Sequence, residues 1–257
     1  MTFRSRDVLE GCLASLQATA EPGLSLEVLL IDNASADGTP RWVRANYPSV
    51  RVLENPVNVG FARACNQALA LASGQYVLFL NPDARLTPGA LDAMIQRLLQ
   101  EPRPGLLSPR LQGGGPSAWG RFPTLGRLAA RRLGARPEPE PGEGPVDWVL
   151  GACMLGPAEV VRELGGFDDD YFLYGEDLDL CDRMAAAGRT VVYYPLVTVT
   201  HLGNDRWDPD RLERVYGAVL MFFKKRRSLV SYVAVWIGLQ LLKLWRGIEN
   251  RESRIEN

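Results

Sequence analysis

The chain has 257 residues, of which 46% are hydrophobic and 23% are charged, and its formal net charge is −1. This composition supports a packed core in one large or two small domains and excludes global disorder. The balanced charge argues against a general nucleic-acid binder, which would carry a strong basic excess. The four cysteines are scattered through apolar stretches, which predicts buried thiols and a reducing, cytoplasmic compartment. The charged N-terminal stretch lacks the apolar core of a signal peptide.

The first hundred residues alternate between predicted helices and predicted strands. Apolar side chains recur at helical spacing over about 6–18, over 61–72 and again after Pro88. Apolar runs over 27–31 and 76–80, with a shorter one at 50–53, predict strands. The alternation predicts an α/β fold, a mostly parallel sheet flanked by helices. Only about five residues precede the first helix, so the first strand is expected to be truncated, with Thr2 and Phe3 as its remnant.

The middle of the chain changes in composition. Residues 112–145 are rich in glycine, proline and arginine, which predicts a flexible basic loop. Its arginines are Arg121, Arg127, Arg131, Arg132 and Arg136. Order returns with an apolar run over 146–155, a helix that begins at Pro157, and strands over 190–194 and 197–200.

The residue pattern of the C-terminal region predicts a separate helical tail. We expect one main domain over 1–215 and the tail over 216–257. Lys224–Arg227 form a basic run, and the uncharged run 229–242 that follows is shorter than the roughly 20 residues of a membrane-spanning helix. This pattern favours a helix at the surface of an anionic membrane. Packing of the tail on the main domain, or on a second copy in a homodimer, stays open.

Polar side chains follow two of the predicted strands. Asp32 comes directly after the first, and Asn81 and Asp83 flank Pro82 after the strand 76–80. Open α/β sheets bind ligands beyond the carboxyl ends of their strands. Asp32 is therefore a candidate contact for a nucleobase or ribose, and Asp83 for a divalent cation that neutralises a diphosphate. An ordinary strand-ending turn explains either segment as well.

Two further segments carry ionisable groups. Glu176 and Asp177 open a predicted helix directly after aromatic residues, an environment that raises a carboxylate pKa toward the range of a general base. Acids also favour a first helical turn for electrostatic reasons alone. His201, the only histidine, ends a strand and as neutral imidazole would complete a metal site with Asp83. Most lone histidines are structural or merely exposed.

The succession of these segments resembles the inverting family 2 glycosyltransferases with the GT-A fold, and within them the rhamnosyltransferase-like branch. The resemblance covers about residues 2–205. The segments that carry it are Asp32, Asn58-x-Gly60-Phe61 with Asn66, Asn81-Pro82-Asp83, Gly151-Ala152-Cys153, Gly165-Gly166-Phe167-Asp168, Tyr174-Gly175-Glu176-Asp177 and His201.

The resemblance implies a role for each matching position. Asp177 is expected to be the catalytic base with Glu176 beside it, and Asp83 and His201 are expected to bind magnesium or manganese. Asn81 replaces the first acid of the family's D-x-D motif, which predicts weaker metal binding. The expected donor-binding residues are Asp32, Asn33, Ser35, Asn58, Gly60, Phe61, Asn66 and Asn81. The expected sugar and acceptor residues are Trp148, Gly151, Ala152 and Tyr174.

The implied activity is an inverting sugar transfer in bacterial cell-envelope polysaccharide synthesis, at the inner face of the membrane. The expected donor is dTDP-rhamnose or, as second choice, a UDP-sugar, and the expected acceptor is a glycan or a polyprenyl-diphosphate-linked glycan. Two alternatives stay open. A nucleotidyltransferase would show a glycine-rich basic loop after its first strand, and a catalytically silent sugar-nucleotide-binding protein would bind donor without releasing nucleoside diphosphate.

Overall fold

The structure is a computed structural model that describes residues 1–19, 23–113, 117–203 and 209–255. The contacts that residues make in space divide the chain into two compact units. The first unit comprises Met1–Phe122 and Glu140–Trp207, and the second comprises Pro123–Pro139 and Asp208–Asn257.

The helices and strands follow one another in the order that the sequence predicts for most of the first unit. The helices are α1 (Arg6–Ala18), α2 (Thr39–Asn46), α3 (Phe61–Leu71), α4 (Ala90–Leu99), α5 (Leu125–Arg132), α6 (Ala158–Glu163), α7 (Glu176–Ala186), α8 (Pro209–Arg226) and α9 (Leu229–Ile255). The strands are β1 (Leu29–Asp32), β2 (Arg51–Glu54), β3 (Tyr76–Leu80), β4 (Ala84–Arg85), β5 (Pro104–Gln112), β6 (Trp119–Gly120), β7 (Gly144–Pro145), β8 (Trp148–Val149), β9 (Cys153–Pro157) and β10 (Thr190–His201). Helices α5, α8 and α9 belong to the second unit.

The amphipathic helices form where apolar side chains recur at helical spacing. In α1 the predicted face, Leu9, Cys12, Leu13 and Leu16, is buried against the sheet core. A second cluster gathers side chains of α3, α6 and α7, which shows that apolar side chains pack in two separate layers. This arrangement confirms the predicted α/β class, because each helix buries one stripe of side chains against the strands.

The main sheet is mixed rather than mostly parallel, which corrects that part of the prediction. Its order is β3-β9-β5-β10-β4, with β7 on β10. Strands β5 and β10 pair in parallel, whereas β9 runs antiparallel to both β3 and β5, and β4 runs antiparallel to β10. Strands β4 and β9 follow β3 and β8 after only three residues, and each pairs with strands other than the one before it in the chain. Strands β1 and β2 form a separate parallel pair.

The sequence does not predict β5, because Pro104 and Pro109 weaken the strand pattern. Pro109 is tolerated because it lies opposite Tyr194, where the pairing of β5 with β10 shifts register. The predicted loop 112–145 also contains more structure than its composition indicates, since it includes α5 and the short strands β6 and β7.

Of the two residues of the predicted strand remnant, Thr2 pairs as a strand residue does. It forms an isolated parallel bridge with Asp32. The Thr2 N–H donates to the Ile31 carbonyl over 2.8 Å, and the Thr2 carbonyl accepts from the Asn33 N–H over 2.9 Å. Phe3 lies outside any strand.

In the second unit, α5 and α8 both pack against α9. The N-terminal half of α9 exposes a stripe of apolar side chains at helical spacing, namely Val230, Val233, Ile237 and Leu241, with Leu229 and Trp236 beside it. Within the described ranges, no helix combines the length and the apolar character that crossing a membrane requires.

Candidate active site

The turn after β3 and the end of β10 bring Asn81, Asp83 and His201 together. Strand β4 follows the turn directly and pairs with the end of β10, so that Ala84 lies opposite His201. The Oδ1 atom of Asp83 is 3.5 Å from Nε2 of His201, and the Asn81 amide nitrogen is 3.4 Å from the same Nε2. Asn81 and His201 are 120 positions apart in the sequence, and the pairing of β4 with β10 makes them neighbours.

The environment of Asp83 favours its ionised form. Burial by itself raises the pKa of this carboxyl, but the hydrogen bond and charge of His201 and nearby backbone N–H groups lower it, and the net shift is downward. Asp83 is therefore a carboxylate at neutral pH. The Nδ1 atom of His201 is buried and has no hydrogen-bond partner in the described part of the chain.

The donor set of this group fits a divalent cation that is shared with a substrate. It offers one carboxylate, one imidazole and one amide. Among the residues that the structure describes, no three His, Cys, Asp or Glu side chains lie close enough to hold an ion by themselves. A cation bound by Asp83 and His201 would take its other ligands from diphosphate oxygens and water, as magnesium does in many nucleotide enzymes.

The start of α7 places two acidic side chains in a buried position. Both Glu176 and Asp177 are less than 10% exposed. Tyr174 and Gly175 precede them in left-handed conformations, with φ of 72° and 87°, and this tight turn sets the direction in which α7 begins. The strained Tyr174 backbone is notable because non-glycine residues seldom adopt this conformation.

Asp177 is held by backbone N–H groups. Its Oδ2 accepts a hydrogen bond from the Gly151 N–H over 3.1 Å, and its Oδ1 accepts one from the Leu178 N–H over 2.8 Å. The Oε2 atom of Glu176 is buried without a hydrogen-bond partner among the described residues.

Burial raises the pKa of both acids. For Glu176 burial, with the Asp177 charge added, raises the pKa to about 8. For Asp177 burial also raises the pKa, while the N–H groups of Gly151 and Leu178 act against the rise. The two carboxyls titrate as a pair. The backbone hydrogen bonds from Gly151 and Leu178 favour the ionised form of Asp177, whereas burial and the Asp177 charge favour the protonated form of Glu176.

The turn between β8 and β9 joins the two groups. The Asn81 N–H donates to the Ala152 carbonyl over 2.9 Å, and the adjacent Gly151 N–H donates to Asp177. A side chain at Gly151 would lie 3.6 Å from Cβ of Asp177 and 3.9 Å from the ring of Phe61. The β8–β9 turn therefore links the Asn81 backbone to the Asp177 carboxylate.

Asp32 is buried at the end of β1. Its Oδ2 accepts a hydrogen bond from the Ser35 N–H over 3.1 Å, and Oδ1 lacks a partner among the residues described. The Ser35 hydroxyl accepts the Arg4 N–H over 2.9 Å. This turn thus leaves one carboxylate oxygen of Asp32 without a hydrogen-bond partner among the described residues, and the predicted nucleotide contact stays a prediction.

The side chains of Asn33 and Asn58 form hydrogen bonds with each other and with backbone groups of the protein. The Asn33 amide donates to the Asn58 side chain and to the Gly60 carbonyl, and its oxygen accepts the Val59 N–H. The Asn58 oxygen also accepts the Gly60 N–H. These bonds hold the loop before α3 beside the end of β1, so both side chains shape this wall of the site.

Asn66 has a comparable role on α3. Its amide donates to the Phe167 carbonyl and to Asp169, and its oxygen accepts the Phe167 N–H. The side chain therefore fastens the loop after α6 to α3. Its predicted contact with a nucleotide stays a prediction.

Gly60 is required by a close approach within the protein. It has φ of 90°, and a side chain there would lie 2.7 Å from the Phe172 carbonyl oxygen. That carbonyl accepts the Phe61 N–H over 2.7 Å. The segment that leads to Glu176 therefore rests on the start of α3.

Trp148 and Ala152 occupy the β8 side of the region. The Trp148 indole N–H donates to the Arg121 carbonyl over 3.1 Å, and the indole ring covers Gly120 on the neighbouring strand. Ala152 is buried and contributes its carbonyl, as described above.

Sequence reasoning missed Gly113, which follows β5. It has φ of 144°, and a side chain there would lie 1.9 Å from the carbonyl oxygen of His201. The only signal was a run of three glycines, which composition alone interprets as a loop. The contact shows that the first of them allows the end of β10 to approach β5.

The family model of Glycosyl transferase family 2 matches residues 1–137. The chain is also 34% identical over 234 residues to the N-acetylglucosaminyl-diphospho-decaprenol L-rhamnosyltransferase of Mycobacterium tuberculosis, covering 78% of this chain and 74% of that protein. It is 31% identical over 182 residues to the pre-mycofactocin glycosyltransferase of the same species, covering 68% of this chain and 37% of that protein.

Two solved structures share the fold. The mannosyltransferase PcManGT from Pyrobaculum calidifontis, in complex with GDP-Man and Mn2+, matches with a TM-score of 0.64 and 22% identity over 87% of this chain and 61% of its own. GalNAc-T7 with UDP, GalNAc and Mn2+ matches with a TM-score of 0.62 and 17% identity over 82% of this chain and 45% of its own. The chain thus spans less than two thirds of either structure. These likenesses confirm the predicted GT-A-type fold.

We expect Gly113→Ala to displace His201. The added methyl group collides with the His201 carbonyl, and the imidazole must move with its backbone. Because the chain has a single histidine, its imidazole proton resonances report the change without ambiguity. Gly144→Ala is the matched control, since Gly144 has φ of 148° but nothing within 4 Å of an added methyl. Equal imidazole shifts in both variants would contradict the role of Gly113.

We expect Glu176→Gln to remove a pH dependence of stability. In the unfolded chain Glu176 ionises near its ordinary value of 4.5, but in the fold its pKa is about 8. Between these values the folded state holds a proton that the unfolded state has lost, so the free energy of unfolding falls as pH rises, by up to a few kcal/mol. Urea unfolding of wild type and variant across pH 5–8 measures the slope.

Glu159→Gln, an exposed acid on α6, is the control and should retain the wild-type slope. A variant at Glu176 that keeps the same slope as wild type would show that this carboxyl does not hold the proton.

Proposed function

Because this chain belongs to glycosyltransferase family 2, we propose that it transfers a sugar from a nucleotide-diphosphate donor to an acceptor hydroxyl with inversion at the anomeric carbon. One observation carries the proposal. The turn that contains Gly151 and Ala152 bonds to Asp177 on one side and to Asn81 on the other. This link supports the proposal that a base at Asp177 acts beside a diphosphate-binding group at Asn81 and Asp83, which inverting transfer requires.

Asp177 acts as the general base in this proposal. It takes the proton of the acceptor hydroxyl while the hydroxyl oxygen attacks the anomeric carbon and the bond to the diphosphate breaks. Two backbone N–H groups hold the carboxylate in place, and the proton on Glu176 prevents a second negative charge beside it. Gly151 leaves space next to Asp177, because a side chain there would stand against the carboxylate.

Asp83 and His201 serve the leaving group. Asp83 and His201 would hold a magnesium or manganese ion, with Asn81 beside them. When bound, such a cation neutralises the charge that develops on the departing nucleoside diphosphate. Asp32 and Ser35 lie beyond the end of the neighbouring strand and are proposed to contact the nucleoside.

The donor and acceptor follow the rhamnosyltransferase of M. tuberculosis, which shares 34% identity over most of both chains. We take dTDP-rhamnose as the donor, with a UDP-sugar as second choice, and a polyprenyl-diphosphate-linked N-acetylglucosamine as the acceptor. Cell-envelope polysaccharide synthesis is the corresponding process. The family match disfavours a nucleotidyltransferase, and a catalytically silent binder is tested below.

The surface of the second unit has the features of a membrane-binding surface, which a lipid-linked acceptor would require. The exposed stripe on α9 provides apolar contacts, and Lys224 and Lys225, both exposed, precede it. Helix α5 adds Arg127, Arg131 and Arg132, all exposed. A basic amphipathic surface of this kind binds anionic lipid headgroups. With four buried free thiols, these features support a place at the cytoplasmic face of the membrane.

We expect Asp177→Asn to abolish transfer while donor binding persists. The amide cannot accept the acceptor proton, and loss of a general base costs about 10²- to 10⁴-fold in rate. Release of nucleoside diphosphate in the presence of the lipid-linked acceptor measures turnover, and calorimetry with dTDP-rhamnose or a UDP-sugar measures binding. Glu159→Gln should retain full activity. Retained turnover in Asp177→Asn would reject the base, and binding without any turnover in wild type would indicate the silent binder.

We expect the triple variant Val230→Ser, Ile237→Ser, Leu241→Ser to lose binding to vesicles that contain phosphatidylglycerol. Each side chain contributes about 1–2 kcal/mol when buried among acyl chains, so flotation should fall at least roughly tenfold. The control replaces three exposed apolar residues of the first unit, Val57, Leu99 and Leu196, by serine. Equal flotation of both variants, or a dimer in solution that the α9 variant disrupts, would contradict membrane contact through this stripe.

A further inference from the structure

Strand β8 pairs with a strand on one edge and with a helix on the other. Strand β6 is its only strand partner among the described residues, and on that side the Leu150 N–H donates to the Ala118 carbonyl over 2.9 Å. On the opposite side the N–H groups of Val149 and Gly151 donate to side chains of α7. This alternation is that of an extended chain, in which every second N–H points to the same side.

The thiol of Cys181 takes the place of a strand partner for Val149. The Val149 N–H donates to Sγ of Cys181 over 3.5 Å, and the thiol S–H donates to the Val149 carbonyl, with Sγ and the oxygen 3.9 Å apart. Both residues are fully buried, so water does not reach these groups. One side chain therefore satisfies both backbone groups of Val149, which buried polar groups require.

The spacing along α7 matches the spacing along β8. Asp177 and Cys181 are four residues apart and lie on one face of the helix, separated by about 6 Å along its axis. Val149 and Gly151 are two residues apart, which corresponds to about 6.7 Å of extended chain. The two distances agree to within about 1 Å, so one placement of α7 against β8 makes both contacts at once.

The position of Asp177 relative to the turn depends on Gly151. Among the described residues, Gly151 is the one residue outside α7 whose N–H donates to the Asp177 carboxylate, since Leu178 belongs to the same helix. Gly151 has no side chain that could anchor it. Val149, two residues earlier, is held to α7 by the thiol, and this contact limits where the Gly151 N–H can lie.

We propose that Cys181 is a positioning residue for Asp177, because its thiol holds β8 in the register at which the Gly151 N–H reaches the Asp177 carboxylate. The inference rests on the proposed function in one respect, the role of Asp177 as the base. The thiol itself takes no part in proton transfer. Burial raises the pKa of Cys181 strongly, so at neutral pH the thiol is protonated and can donate to Val149.

Three variants test the proposal. Cys181→Ala removes both contacts and leaves the buried backbone groups of Val149 without a partner. Cys181→Ser keeps a group that can both donate and accept, and is the conservative replacement. Cys65→Ala is the matched control, because it also removes one buried sulfur, from α3, and the Cys65 thiol forms no hydrogen bond in the described part of the chain.

Hydrogen exchange of the Gly151 amide measures the contact without any sugar transfer. Its rate is compared with that of the buried Val192 amide in β10, so that a local change is separated from a loss of global stability. We expect the ratio to rise at least roughly tenfold in Cys181→Ala, and to stay within about threefold of wild type in Cys181→Ser and Cys65→Ala. A wild-type ratio in Cys181→Ala would overturn the proposal.

Transfer kinetics give the second readout. Displacement of the base should lower kcat at least roughly tenfold in Cys181→Ala and leave KM for the nucleotide-sugar donor within about threefold, and serine should restore most of kcat. An equal loss of kcat in Cys65→Ala, or a change in KM alone, would count against positioning by Cys181. Faster Gly151 exchange with wild-type kcat would instead reject Asp177 as the base and support the hold of Cys181 on the turn.

Discussion

The site depends on the short turn that follows β8. Its Gly151 N–H donates to the Asp177 carboxylate, and its Ala152 carbonyl accepts the Asn81 N–H. A typical hydrogen bond contributes about 1 kcal/mol, and one to a charged acceptor about twice that. The energy is modest, but the bonds fix position. They tie the start of α7 to the end of β3, which are far apart in the chain.

The acidic side chains around this turn face contrasting electrostatic environments. Asp83 has His201 as a partner and its pKa is lowered, whereas burial raises the pKa of Glu176 and Asp177. Two environments that shift pKa values in opposite directions are consistent with the two roles proposed above, a carboxylate that binds a cation and an acid pair that handles a proton. Family 2 membership gives these roles a chemical context, and the arrangement of the residues gives them a physical cause.

Two glycines and two asparagines near the candidate site form contacts within the protein that hold its loops in place. Gly60 and Gly113 allow backbone segments to approach the Phe172 and His201 carbonyls. Asn33 and Asn66 satisfy loop N–H and C=O groups. Such residues position Asp32, Asp177 and His201 without any need to contact a substrate.

The sequence by itself determined the amphipathic elements α1, α3, α4 and α7, the strands β1 and β3, and the candidate acids, because periodicity and turn chemistry are local properties. It did not determine β5, whose two prolines obscure it, nor the antiparallel course of β9. Those depend on register between distant segments. The tertiary structure alone decided that Asn81 and His201 meet, that Asn33 and Asn66 bond to loops, and that Gly113 supports His201. Each of these facts depends on contacts in the folded chain, where residues far apart in the sequence become neighbours and no local pattern records their contact.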